Sequence, residues 1–225
     1  MTTTTPEDIR LPAGEQPEVP PSGEDETTAV AAATEATDKV AASALQDILE
    51  EREEREPVDI SEIRYFHVDD NGLVLWGTEE DLKEMLNMEK KLGQAQSVEE
   101  AFEELEKLAE SNETLHLLLL DQRFFVTREQ VEEGIGDMDR CSEILLKMIK
   151  DKGSAALKKM LEKTVIISLS GTADDQYIRD LQKISDRVIG GVLKGDQPRV
   201  VKEILKLLVD SGVARNNDTT LPLYE

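Results

Sequence analysis

The sequence predicts a mainly α fold, a helical bundle preceded by a short β-hairpin and a disordered acidic N-terminal arm, and three observations carry that expectation. Large apolar side chains are almost missing from Met1 to about Thr37, where Thr, Glu, Pro, Ala and Gly dominate. Two short β-prone runs then flank an Asp-Asp-Asn-Gly turn, and from Thr78 onward apolar residues recur mostly at helical spacing.

The first stretch cannot bury enough surface to offset its conformational entropy, so it reads as disordered. Within residues 39–55, Val40, Ala44, Leu45, Ile48 and Leu49 share one face of a short amphipathic helix that Pro57 stops. Such a helix either docks into a partner's groove or packs on its own domain. Residues 1–57 are therefore expected to form an arm, with Val40, Leu45, Ile48 and Leu49 as its partner-binding face. Residues 58–225 form the expected helical domain.

That domain opens with a hairpin over residues 63–76. Ile63 to Val68 and Leu73 to Trp76 are its strands, and Asn71-Gly72 suits the positive φ angles of a tight turn. Thr78 then caps a helix carrying Leu82, Met85, Leu86 and Leu92, which Gly93 ends. Ser97 caps the next, with Val98, Phe102, Leu105 and Ala109 opposite a glutamate face. Leu115 to Leu120 is apolar nearly all round and reads as the most buried helix. Thr127 caps a short helix with Val131 and Ile135.

Cys141, Ile144, Leu145 and Met148 mark a further helix, and Leu157, Met160, Leu161 and Val165 the next. After Gly171 a long helix places Ile178, Leu181, Ile184 and Val188 inward until Gly190 and Gly191 interrupt it. Pro198 suits the first turn of a last helix, with Val200, Val201, Ile204, Leu207 and Leu208 inward and an end near residue 211. This helix, its Ser211-Gly212 stop and a strand-turn-strand pattern over 213–224 resemble the last helix and wing of a winged-helix module. The resemblance implies Arg199, Lys202, Lys206 and Arg215 as nucleic-acid contacts. Against that use, residues 172–225 are slightly acidic, which favours protein docking.

Composition narrows the function further. The 225 residues hold 49 acids against 26 bases, for a formal charge of -23. A charge of this sign repels phosphate backbones, so nucleic acid is disfavoured as a partner. Residues 141–208 reverse the trend with a small basic excess, and mixed-sign helices make a homo-oligomer plausible. No long apolar run or export signal is legible and the one cysteine cannot pair within the chain, so a cytoplasmic location is expected, or a host cytoplasm for a viral protein.

No metal, cofactor or catalytic cluster is legible. His67 lies beside Asp69 and Asp70 and reads as a surface histidine of the first strand, while His116 reads as a core histidine. The Asp69 to Gly72 loop fails as a calcium loop because its first and twelfth positions would be His67 and Thr78. The glycines around Lys194 lack phosphate-loop spacing and read as a hinge. The sequence thus points to a nonenzymatic interaction protein: an adaptor, an assembly chaperone or scaffold, or a subunit of a larger complex, viral or phage assembly included. The alternative is a transcription or replication regulator that binds DNA through its C-terminal module.

Overall fold

Short apolar runs are strands here, including several whose residues also suit a helix. The computed structural model describes residues 56–134, 136, 140–171 and 175–215, all within one compact unit, Arg52–Glu225. Five strands among them, β1 (Arg64–Val68), β2 (Lys90–Ala95), β3 (Leu117–Asp121), β4 (Val165–Ser170) and β5 (Val188–Leu193), pair in parallel in the order β2-β1-β3-β4-β5. Parallel neighbours need crossover connections, and helices supply them. These are α1 (Gly72–Leu86), α2 (Val98–Glu110), α3 (Arg128–Glu133), α4 (Cys141–Lys152), α5 (Ala155–Leu161), α6 (Asp175–Ile184) and a final α7 (Gln197–Asp210).

This is a doubly wound α/β architecture, so the expected helical bundle does not stand. On one face of the sheet Phe66, Val68, Leu118, Leu120, Ile166 and Val188 join apolar side chains from α2, α4, α5 and α6. On the other face Tyr65, Leu117, Leu119, Val165, Ile167, Leu169 and Val192 pack with Leu82 and Leu86 of α1 and with Val200, Val201, Ile204 and Leu208 of α7. A strand covered on both faces loses polar alternation and becomes one continuous apolar run. That is why Leu115 to Leu120 reads as a buried helix in sequence and is β3 in space. Each fully buried leucine there contributes about 1.5–3 kcal/mol.

Further corrections have the same origin. The hairpin over 63–76 is absent: its first half is β1, whereas the second half lies in α1. Asn71 makes no turn but caps that helix, its side-chain oxygen accepting from the Leu73 amide at 3.0 Å. Leu92 and Gly93 belong to β2, and a Cβ at Gly93 would sit 2.7 Å from the Phe66 ring, so this edge strand approaches β1 only because glycine stands there. Val165 starts β4. Val188 with Gly190 and Gly191 makes β5, where Gly191 leaves room for Ile178 of α6; an added Cβ would meet that side chain at 2.6 Å.

The winged-helix resemblance also falls. The last helix is a layer of the α/β domain, and the following residues fold back through a parallel bridge between Val58 and Ala214. Residues 216–225, most of the expected wing, lie outside the described residues. So do the acidic arm and its face of Val40, Leu45, Ile48 and Leu49. No described helix is long and apolar enough to cross a membrane.

Candidate functional site

In a doubly wound sheet the strands end at one edge, and ligands sit outside their carboxyl ends where the strand order reverses. Here the reversal lies between β1 and β3. β1 runs straight into Asp69 and Asp70, β3 ends on Asp121, β4 on Ser170, and β5 is followed at once by Lys194. Four strands thus deliver three carboxylates, a hydroxyl and an ammonium to one edge. Residues up to 125 apart in sequence meet there.

The geometry is tight. Lys194 Nζ lies 2.5 Å from Asp69 Oδ2 and 2.9 Å from Asp121 Oδ2. Asp69 Oδ1 accepts from the Asn71 amide at 3.0 Å, and Asp121 Oδ1 from the Gln122 amide at 2.7 Å. The Ser170 hydroxyl donates to Gln122 Oε1 at 2.8 Å, while the Lys194 amide donates to the Ser170 carbonyl at 2.7 Å. Ser170 and Gln122 also line a cavity of about 210 Å³ with Tyr177, Ile178 and Gly191.

The charges of the cluster do not balance. Asp69, Asp70 and Asp121 each offer an oxygen within 4.8 Å of the others, against the one ammonium that bridges two of them. Burial pushes Asp121 up to about 6 despite Lys194, and burial with the neighbouring Asp69 raises Asp70. Burial opposes the charge on Lys194, but Asp121 and Asp69 outweigh it and hold its pKa above the ordinary value. A cluster of hard oxygen donors with excess negative charge has the chemistry of a Mg²⁺ or Mn²⁺ site. Asp69, Asp70 and Asp121 fit such an ion.

Beneath the cluster lies His67, only 1% exposed. Its Nε2 is 4.0 Å from Asp69 Oδ2, and neither ring nitrogen has a hydrogen-bond partner among the described residues. Burial, reinforced by Lys194 and Lys91, lowers its pKa to about 3, so the ring is neutral at physiological pH. It is no surface histidine. His116, half-buried just before β3, accepts from the Arg64 amide at 3.0 Å through Nδ1.

No family model and no curated protein matches the chain. Solved structures do. A two-component response regulator from Cytophaga hutchinsonii aligns over 66% of this chain and 95% of its own, at 16% identity and a TM-score of 0.50. The two share a fold. The isolated REC domain of RcsB from Salmonella enterica serovar Typhimurium, solved with the phosphomimetic BeF3−, aligns over 71% of this chain and 99% of its own at 19% identity and TM-score 0.45. A Salmonella typhimurium RcsB response regulator described for its conformational dynamism in DNA interaction gives 16% identity and TM-score 0.45. The match covers 70% of this chain and 64% of that one.

This fold overturns the expectation of a nonenzymatic adaptor, scaffold or assembly factor. That expectation joined a helical domain to a docking arm, whereas the domain is an α/β sheet that shares its fold with the Cytophaga structure and carries a charged cluster at its carboxyl edge. Of the four cations assigned to the winged-helix module, three line one groove on α7 and the fourth lies beyond that helix. Arg199 pairs with Glu203 on α7 at 2.8 Å, Lys202 and Lys206 line a groove on the same helix, and Arg215 donates to the Pro57 carbonyl. In sequence the Asp69-Asp70 pair after an apolar run was legible, but nothing local tied it to Asp121 or Lys194.

Proposed function

We propose that this domain is a phosphoryl-accepting receiver of the response-regulator kind, with Asp121 as the acceptor. The observation that supports it is the cluster itself: Asp121 sits at the end of a central strand, touched by Lys194 and flanked by Asp69 and Asp70 at the β1/β3 reversal. An Asp121 carboxylate oxygen attacks the phosphorus of a donor. The donor's bond to phosphorus breaks, the leaving group departs with the electron pair, and an acyl phosphate remains on Asp121. Asp69, Asp70 and Asp121 would hold a divalent cation, which would supply charge neutralisation for the phosphoryl oxygens.

The chain's own groups do the rest. The Gln122 amide orients the nucleophile through Asp121 Oδ1. Lys194 offers its ammonium to the incoming oxygens, and the Ser170 hydroxyl, now on Gln122, stands at the neighbouring strand end as a second donor. Ser170 and Gln122 line the cavity between α6 and β5, so rotation of that hydroxyl toward Asp121 would change the packing of this side of the domain. Signalling would follow from that change.

The test is incubation of the full-length chain with Mg²⁺ and acetyl phosphate, read by intact mass. One phosphoryl adduct is expected, lost in Asp121→Asn. An adduct that persists in this variant would defeat the assignment.

A further inference from the structure

His67 takes no part in the phosphoryl transfer described above, yet it forms the floor of the site. Strand alternation places it on the same face of β1 as Asp69, two residues on. A buried imidazole with both nitrogens unpartnered forfeits its hydrogen bonds, and an aliphatic side chain would fill this place without that cost. The ring's Nε2 stands 4.0 Å from a carboxylate oxygen, Asp69 Oδ2.

The same oxygen is taken by Lys194. Its ammonium occupies Asp69 Oδ2 at 2.5 Å while also touching Asp121. A phosphoryl group on Asp121 brings about -1.5 to -2 of charge and three strong acceptor oxygens to the same ammonium. Lysine is a compact point charge on a flexible stem, so it follows the larger charge. Asp69 Oδ2, fully buried, then loses its partner.

We propose that His67 is a reserve hydrogen-bond donor for Asp69, engaged when Lys194 leaves Asp69 for the phosphoryl group. The trigger rests on the receiver reading; the His67–Asp69 pairing rests on geometry alone. A neutral imidazole has one N–H to give, and a shift of about 1 Å brings Nε2 into hydrogen-bond range of Oδ2. No change of protonation is involved. Ionised carboxylates accept several bonds, so Asp69 can take this one while its other lone pairs serve the Asn71 amide and a cation. His67 is thus a positioning residue that holds the Asp69 carboxylate in place through the phosphorylated state.

The experiment compares the full-length chain with His67→Leu, Lys194→Met and the double variant. In the wild-type background, His67→Leu removes an unpartnered polar group and is expected to raise the urea midpoint. In the Lys194→Met background the imidazole has become Asp69's partner, so the same change lowers it, and His67→Gln restores part of the loss. The imidazole N–H resonance of His67 should move downfield in Lys194→Met, and in the wild type on addition of Mg²⁺ and acetyl phosphate. Midpoint shifts of the same sign in both backgrounds, with an unmoved resonance, would overturn the pairing. No phosphoryl uptake by the wild type would overturn the receiver reading and the trigger with it, whereas uptake with an unmoved resonance would remove the role of His67 alone.

Discussion

The two ends of the sheet match their charges differently. At the amino end His116 Nδ1 takes the Arg64 amide, Arg64 pairs with Glu113 at 2.6 Å, and the Thr164 hydroxyl reaches both the Leu115 and Met160 carbonyls at 2.9 Å, while the buried Tyr65 hydroxyl of β1 has no hydrogen-bond partner among the described residues. Segments 56–58 and 213–215 are also tied together there, by the Val58 and Arg215 amides. At the carboxyl end, three clustered acids share one lysine, and His67 has no hydrogen-bond partner among the described residues. A satisfied network rigidifies, while an unsatisfied one stores free energy that a ligand can release. The amino end holds the fold, and on the proposed receiver reading the carboxyl end takes up an ion and a phosphoryl group.

The strongest way to break that contrast is to remove the lysine. Lys194→Met leaves Asp69 buried without its cation and is expected to destabilise the domain by about 3–5 kcal/mol in urea titrations without divalent ions. Added Mg²⁺ should return much of the loss. A variant as stable as the wild type would show that the cluster is not strained.

At the other end, Thr164→Val removes a buried hydroxyl with two acceptors and is expected to cost about 1–3 kcal/mol. Phosphoryl uptake should be unchanged, and a fall in uptake would mean that the ends are coupled.

His67 sharpens the contrast through pH. Its folded pKa lies below its unfolded value near 6.5, so as pH falls the unfolded chain binds a proton that the folded chain refuses. Stability from this group is present above 6.5 and is lost as pH falls toward 3. The wild type should therefore lose ground to His67→Leu by about 1.4 kcal/mol per pH unit below 6.5, measured as the difference in unfolding free energy between them. Taking the difference matters because Asp121, raised to about 6, acts with the opposite sign between its unfolded value and 6. A constant difference from pH 7 to 5 would contradict the buried neutral ring.

The smallest effect is expected at Trp76, which is 63% exposed on α1, as Leu73 is at 79%. Trp76→Gln should change stability by less than about 0.5 kcal/mol in the same titrations.

Several elements were legible in the chain. Ser97 and Thr127 cap helices as their positions suggest, each side-chain oxygen accepting from the amide three residues on. Cys141 to Met148 lie on one helix, and Val200, Val201, Ile204 and Leu208 face inward from another. These features are local, set by capping chemistry and by a period of 3.6 residues. Of the strands only β1 was legible, as the first half of the expected hairpin; the others were not, because β3 reads Leu-Leu-Leu-Leu-Asp and a run buried on both faces has no period to distinguish it from a buried helix. The site was hidden for the same reason: Asp69, Asp121, Ser170 and Lys194 share nothing in sequence except a place just at or after the end of a strand. Sequence alone determined which residues are apolar, which cap, and where the charge lies. Tertiary structure alone decided that parallel pairing in the order β2-β1-β3-β4-β5 would bring those strand ends together, because hydrogen bonds between distant strands, and not neighbours along the chain, set their register.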